Sequence, residues 1–456
     1  MNQTLDFKPV YPPRLERQLP VWRQFVGEMR RNPLLNWPQE AFEQPYWFRR
    51  IATLRYHLVS DPDAIGHVLL TNAASYAKPR IVKRLFGSMI GEGLFLADGD
   101  SWKDQRRLMA PVFTPGAIAE FAPIFLDVAK RSADQWPQQP DGRIDASAEA
   151  VRATFDVIGQ ALFSGETALT SDEASVHIHS ALAGLAEYRP GVLFGAPWLD
   201  RSPTARRGRA GQKYLLARLT EFIRARQADP APPADFMSRI IAAFAKTRSP
   251  EQAAKLSLDN AVTFLVAGHE TTANAITWSL YLLSRSPAVQ ERAATEAKAA
   301  LASGSSADQI AARLPYVRMV LEEAMRLYPP VHRIEREALA DDVICGRAVR
   351  KGDVVSIWPW VVHRHAALWR DPDGFDPENF GPQVKAGHHR FQYIPFGAGP
   401  RVCIGAQFAM IEGALILATW LARFRFSPDL DHAVFPTADV SLRPQGGLPV
   451  RVAPRD

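Results

Sequence analysis

Residues Phe396-Gly397-Ala398-Gly399-Pro400-Arg401-Val402-Cys403-Ile404-Gly405 put one cysteine in a glycine-rich turn, behind an aromatic ring and an arginine and just ahead of an apolar run. Gly397 and Gly399 can take positive φ, so the backbone can turn tightly around the sulfur. Gly405 has no side chain to hold a ring system away. The run from Ile404 to Trp420 predicts a helix, which sets Cys403 near a helix N-terminus. The partial positive charge there favours a thiolate over a thiol. A lone cysteine is more often a small inert core residue, but this setting suits an ionised sulfur held against a large flat ring.

Outward from that turn, the bulk properties are those of an ordinary globular chain. It has 456 residues with 47% apolar composition, enough for two or three domains by length alone. Helical periodicity dominates, so we expect one large, mainly α domain over residues 1–456 with a small β-rich part. The opening segment, residues 1–50, carries Pro9, Pro12, Pro13 and Pro20 and is expected to run extended over the surface. Ile51 to Val59 reads as strand, and Asp61-Pro62-Asp63 starts a helix. Short strands are expected near Val343 to Ser356 and at the C-terminus. The proline cluster at 228–234 breaks two helical stretches as a loop. The net charge of +6 is spread out except at Arg206, Arg207 and Arg209, which read as a solvated helix start. No stripe of basic residues with interleaved aromatics is present, so nucleic-acid binding is not expected. No run of about 20 apolar residues predicts a membrane span, and Met1 to Pro9 lacks the apolar core of a signal peptide, so no membrane anchor is expected.

A second informative stretch lies within a helix predicted from Leu256 to Arg285, apolar nearly all round and therefore buried. In its middle stands Ala267-Gly268-His269-Glu270-Thr271-Thr272. Burying an acid, an imidazole and two hydroxyls is unfavourable unless they are paired or used. Gly268 gives up about 1 kcal/mol against alanine and removes bulk where something must lie against the helix. The Thr271 hydroxyl can compete for the carbonyl of Ala267 and open the helix locally. His269-Glu270 begins a zinc-protease pattern, but Ala273 stands where the second histidine is required. Farther on, Glu323 and Arg326 share one helix face, ended by Pro329-Pro330. His363, His365, His388 and His389 fit no strong metal-ligand spacing and read as loop histidines.

Phe-x-x-Gly-x-Arg-x-Cys-x-Gly resembles the haem-binding loop of the cytochrome P-450 family, the haem-thiolate monooxygenases, and the chain is similar to the soluble bacterial members. The resemblance implies the cytochrome P-450 fold, a single large helical domain around haem b. Cys403 would be the axial ligand of the metal, Phe396 would tune it, Gly405 would clear the ring, and Arg401 would pair with a propionate. Trp102 and Arg106, in a Trp-x-x-x-Arg segment, and Arg336 match further propionate positions. Glu270 and Thr271 match the family's acid–alcohol pair, which relays protons while dioxygen is cleaved. Glu323 and Arg326 match its buried Glu-x-x-Arg pair. Asn379, in Phe375-Asp376-Pro377-Glu378-Asn379-Phe380, stands where arginine is more usual, so the network should persist with two charged members and one amide. Phe95, Ala267 and Val331 match pocket-lining positions, and Ser180 to Leu199 would form part of a mobile lid. The apolar pocket set implies a lipophilic substrate.

With Cys403 on iron, Cys345 is left without an intrachain partner, which fits a reducing cytoplasm. No cysteine set remains for an iron–sulfur cluster and no nucleotide loop stands out. Electrons from NAD(P)H are therefore expected through a separate reductase with a ferredoxin or flavodoxin. The alternatives are a peroxide-driven peroxygenase and a haem-thiolate sensor without turnover, and both leave Glu270 and Thr271 without a use.

Overall fold

The computed structural model describes residues 7–20, 23, 27–51, 54–136, 142–186 and 199–455. Helices dominate and the strands are short. The chain divides into two compact units, Met1–Ala77 with Phe125–Ala153 and Thr271–Asp456, and Lys78–Ile124 with Thr154–Glu270.

The first unit is built on a five-stranded sheet in the spatial order Tyr46–Ile51, Leu54–Val59, Val354–Ile357, Ile334–Ala338, Tyr76–Ala77. The first two strands form an antiparallel hairpin with Tyr46 opposite Val59, and Leu58 runs parallel beside Ser356. Val59, Val355 and Ile357 face a core closed by Ile65, Val68, Leu69, Phe391 and Ile394. A buried relay fixes the sheet's register: the Tyr46 hydroxyl donates to His57 Nδ1 at 2.6 Å, and His57 Nε2 donates to Asp353 at 2.9 Å. Arg55 Nε reaches the same Asp353 oxygen at 2.9 Å. A second sheet joins Arg143–Asp145, Pro449–Pro454 and Phe424–Pro428. The helices Pro287–Leu301, Pro315–Leu327 and Ala406–Arg423 pack against one another. Trp420, on the last of these, meets Trp136 with ring centroids 4.9 Å apart.

Helix boundaries follow capping chemistry. Asp61 accepts from the Ala64 amide at 2.8 Å and starts the helix Pro62–Gly66, with proline at the first position, where its missing N–H goes unnoticed. The same device overturns the expectation that residues 1–50 run extended. Residues 7–20 hold only a bridge between Leu15 and Pro38, but short helical turns follow at Gly27–Arg31, Pro33–Asn36 and Gln39–Phe42. Asn32 caps the second turn, so Pro33 initiates helix rather than preventing it. The strand read at Ile51 to Val59 is instead the two-strand hairpin that begins at Tyr46. Ile334–Ala338, which sets three consecutive charged residues between Ile334 and Ala338, is a strand that the sequence reading passed over.

The second unit is helical. The helices Asp172–Ala186 and Pro203–Ala228 approach so closely that a Cβ on Gly208 would lie 2.8 Å from the Cα of Gly184. A Cβ on Gly211 would overlap the His177 carbonyl. Of the expected lid, Ser180 to Ala186 belongs to the first of these helices, and residues 187–198 lie outside the described residues. The loop at 229–235 separates Pro203–Ala228 from Phe236–Ala245, as the proline cluster predicts. The long helix runs unbroken over 35 residues, Pro250–Ser284, and the division between the units falls inside it. No single helix among the described residues is long and apolar enough to cross a membrane.

Gly211→Ala should lower stability by about 1–3 kcal/mol, the usual effect of overpacking, because the new methyl meets backbone rather than a side chain that can move aside. Urea denaturation checks this, and an unchanged midpoint would contradict the packing described.

Candidate active site

Gly397 and Gly399 adopt φ of +72° and +67°, conformations that side-chain-bearing residues rarely enter. Gly399 is constrained twice, since a Cβ there would also overlap the carbonyl oxygen of Leu69. Between these glycines and the following helix the loop is held by its own backbone. The Gly397 amide donates to the Ile394 carbonyl at 3.0 Å, and the Cys403 amide donates to the Phe396 carbonyl at 2.9 Å. Gly405 precedes the helix Ala406–Arg423, so Cys403 stands three residues ahead of a helix start. That helix is buried at Phe408, Met410 and Glu412 to Leu421, whereas the Cys403 side chain is exposed. Phe396 and Arg401 beside it are half-buried. The reading of a lone cysteine as an inert core residue therefore fails on geometry, because the sulfur is presented and the scaffold beneath it is packed.

The scaffold's anchor is the Glu323–Arg326 pair, wholly buried on the helix Pro315–Leu327. Two parallel 2.7 Å hydrogen bonds join the guanidinium to the carboxylate. Arg326 also donates to the carbonyls of His363 (3.0 Å), Pro372 (2.8 Å) and Gly374 (2.6 Å). Glu323 accepts in addition from the Asp376 amide at 2.9 Å and from Asn379 Nδ2 at 3.2 Å. Burial pushes the Glu323 carboxyl up, and Arg326 opposes it most strongly. Asn379 thus fills its position with a single hydrogen bond from an uncharged amide where a guanidinium could have offered two. Arg364, also buried, lies 3.9 Å from the ring centroid of Trp360. Burial pulls its pKa down to about 10.

On the long helix, Ala267 is exposed and Glu270 and Thr271 are half-buried, while Leu265, Val266, His269, Thr272 and Ala273 are buried. Positions i, i+3 and i+4 form one face, so the acid, the alcohol and the smallest side chain share the open stripe. The space given by Gly268 goes to another side chain, since a Cβ there would lie 2.7 Å from Cδ1 of Ile158. His269 turns inward. Its Nδ1 donates to the Leu265 carbonyl at 2.7 Å, its ring meets Phe155 edge-on at 5.7 Å, and burial lowers its pKa.

Trp102 and Arg106 lie one helical turn apart on Gly99–Met109, both half-buried. Phe95 is 39% exposed, edge-on to Phe86, with Lys78 Nζ 3.8 Å from its ring centroid. Its loop is clamped to the long helix. Asp259 takes the Glu92 amide and Asn260 Oδ1 takes the Leu94 amide, each at 2.9 Å. Gln105 Nε2 donates to the Glu92 carbonyl at 2.9 Å, and Asn260 Nδ2 donates to Gln105 Oε1 at the same distance. Asp259, Asn260 and Gln105 were not selected from sequence; only an acid and an amide inside an apolar helix hinted at them. Arg336, on the strand Ile334–Ala338, is buried and donates to its neighbour's carbonyl at 3.0 Å, while Val331 is 40% exposed. The structure thus joins Glu323, Arg326 and Asn379 in one network and Cys403 to Phe396 through the backbone. It sets Trp102 with Arg106 on one helix and Phe95 on a separate loop. Among the described residues no group of three or more His, Cys, Asp or Glu side chains could hold a metal ion.

The family model described as Cytochrome P450 matches residues 13–448. This chain belongs to the cytochrome P450 family, whose members are haem-dependent oxidoreductases of the monooxygenase type. It is 30% identical over 419 residues to cyclooctatin synthase of Streptomyces melanosporofaciens, covering 89% of this chain and 87% of that protein. It is 30% identical over 419 residues to cytochrome P450 4F4 of Rattus norvegicus, covering 86% and 80%. It is also 28% identical over 387 residues to LUTEIN DEFICIENT 5 of Arabidopsis thaliana; the match takes in 81% of this chain and 65% of that longer protein. The crystal structure of the cytochrome P450DA heme domain superposes with a TM-score of 0.78 at 26% identity, with 90% of each chain covered.

Two outcomes follow from the anchor. Arg326→Ala should destabilise the protein by about 3–5 kcal/mol, because a carboxylate is left buried without its cation; thermal denaturation measures it. The second concerns pH. Burial holds His363 neutral down to about 3, against an ordinary value of 6.5, and holds His332 well below that value. Below pH 6.5 the unfolded chain therefore binds more protons than the folded one. Stability present at neutral pH should fall as pH drops toward 3, by about 1.4 kcal/mol per pH unit for His363 alone. Urea midpoints at pH 7 and pH 5 decide it, and equal midpoints would contradict the burial.

Proposed function

We propose that the chain is a haem-thiolate monooxygenase in which Cys403 binds the iron of haem b and one oxygen atom enters an apolar C–H bond of a lipophilic small molecule. The observation that carries this is an exposed cysteine sulfur ahead of a buried helix, on a loop in which Gly397 and Gly399 are both left-handed. The residues fit such a ligand. The helix start favours the ionised sulfur, and a loop locked by Gly399 against Leu69 can hold it still. Bound there, haem supplies reductive activation of dioxygen, with the thiolate donating electron density toward O–O cleavage.

The chain's own residues supply the rest. Phe396 shields the sulfur, and Gly405 leaves its flank clear. Arg401, Arg336, Arg106 and the Trp102 indole bind the two propionates through charge-assisted hydrogen bonds, the arginines adding their own positive charge. Glu270 holds a proton and passes it to the Thr271 hydroxyl, which delivers it; their half-open stripe on a buried helix supports that role. Phe95, Ala267 and Val331 are apolar and exposed in a chain whose other apolar residues are mostly buried, which supports their lining the substrate pocket. Electrons come from NAD(P)H through a reductase and a ferredoxin or flavodoxin. Neither cysteine is in a disulfide, which suits work in the cytoplasm.

The reduced, carbon-monoxide-bound protein should show the strongly red-shifted Soret band of thiolate ligation, and Cys403→Ala should lose it; a histidine-type band in the wild type would overturn the assignment. Thr271→Ala should keep that band but lower product formed per NAD(P)H consumed several-fold. Unchanged coupling would remove Thr271 from the proton path.

A further inference from the structure

His363 has no part in the roles assigned above, yet it stands where two of them meet. It follows the short helix Pro359–Val362 and is wholly buried. Its carbonyl accepts Arg326 Nη1 at 3.0 Å, and its ring Nε2 accepts the Ile394 amide at 2.9 Å. Because a backbone amide can only donate, Nε2 must be the bare nitrogen and the ring proton sits on Nδ1. Burial keeps the ring neutral, so this tautomer persists through the working pH range.

The bond to Ile394 is placed to matter. Pro395 has no N–H, so the Ile394 amide is the last backbone donor before Phe396 by which the scaffold can hold the chain. From there the links are continuous. The Ile394 carbonyl accepts the Gly397 amide at 3.0 Å, and the Phe396 carbonyl accepts the Cys403 amide at 2.9 Å. A second tie runs alongside, in which the Tyr393 hydroxyl donates to the Glu322 carbonyl at 2.9 Å. The segment entering the cysteine loop is therefore fastened to the helix that carries Glu323 and Arg326, directly through Tyr393 and by way of His363.

We infer that His363 is a positioning residue for Cys403, coupling the buried Glu323–Arg326 pair to the loop that presents the sulfur. The inference rests on the reading of Cys403 as the haem ligand. A glutamine keeps an acceptor where a leucine leaves the Ile394 amide buried and unpaired, so the two variants separate the hydrogen bond from the bulk.

The test has three readouts. At equal haem content, His363→Leu should lower the fraction of reduced protein giving the thiolate-type carbon-monoxide band at least two-fold, and His363→Gln should restore it. Before haemin is added, amide exchange across residues 391–404 should be about ten-fold faster in His363→Leu than in the wild type. In the wild type, nitrogen-15 NMR should show His363 neutral and protonated on Nδ1 at pH 7 and at pH 5, a reading that stands even if the leucine variant does not fold. A folded His363→Leu protein with wild-type band and exchange, or an Nε2-protonated ring, would overturn the inference. Loss of the band in the wild type itself would remove the Cys403 reading, and this inference with it, whereas a wild-type band with an unaffected leucine variant removes only the inference.

Discussion

Two charges without water hold the cysteine side of the molecule together. Arg326 and Glu323 lie at zero exposure, and an isolated charge in that setting would be prohibitive. It is tolerable because the guanidinium spends its donors on one carboxylate and three carbonyls, and the carboxylate takes two further donors. Those acceptors and donors come from residues 363 to 379, a stretch with little regular structure of its own. The pair thus substitutes for secondary structure, fixing irregular chain that would otherwise have no reason to adopt one path. Such a network adds little net stability over a well-packed apolar core, but it specifies geometry.

The long helix meets a different demand. From Leu265 to Ser284 an apolar surface commits it to burial except at Ala267, Gly268, Glu270 and Thr271, whereas its first turns are open at Pro250, Glu251, Gln252 and Lys255. Glycine at 268 lets Ile158 close down on one side, which leaves the polar pair on the other. Asp259 and Asn260, two turns earlier, use the same helix as a rail for the loop that carries Phe95. One element therefore carries the half-buried Glu270 and Thr271 and braces the loop of Phe95.

What could be read from the sequence was what is local. The cysteine turn announces itself because the glycines, the arginine and the helix start fall within ten residues, and the helices follow from periodicity and caps. The Glu323–Asn379 contact was reachable only through family resemblance, since nothing in Asn379 itself points 56 residues back. Contacts that depend on distant partners stayed hidden. Gly268 gave no sign that its neighbour would be Ile158, and Asn260 none that it would hold the Leu94 amide, 166 positions away. The extended reading of the N-terminal segment rested on Pro9, Pro12, Pro13 and Pro20, and it fails beyond them, where Pro33 starts a turn behind its Asn32 cap. His363 looked like a loop histidine because the sequence does not show that its loop is buried.

The central claim is a bond between the sulfur at position 403 and iron. X-ray absorption at the iron edge of the haem-loaded protein reads it directly. One sulfur scatterer at bonding distance is expected in the wild type and none in Cys403→Ser. An iron shell of nitrogen and oxygen alone in the wild type would contradict it.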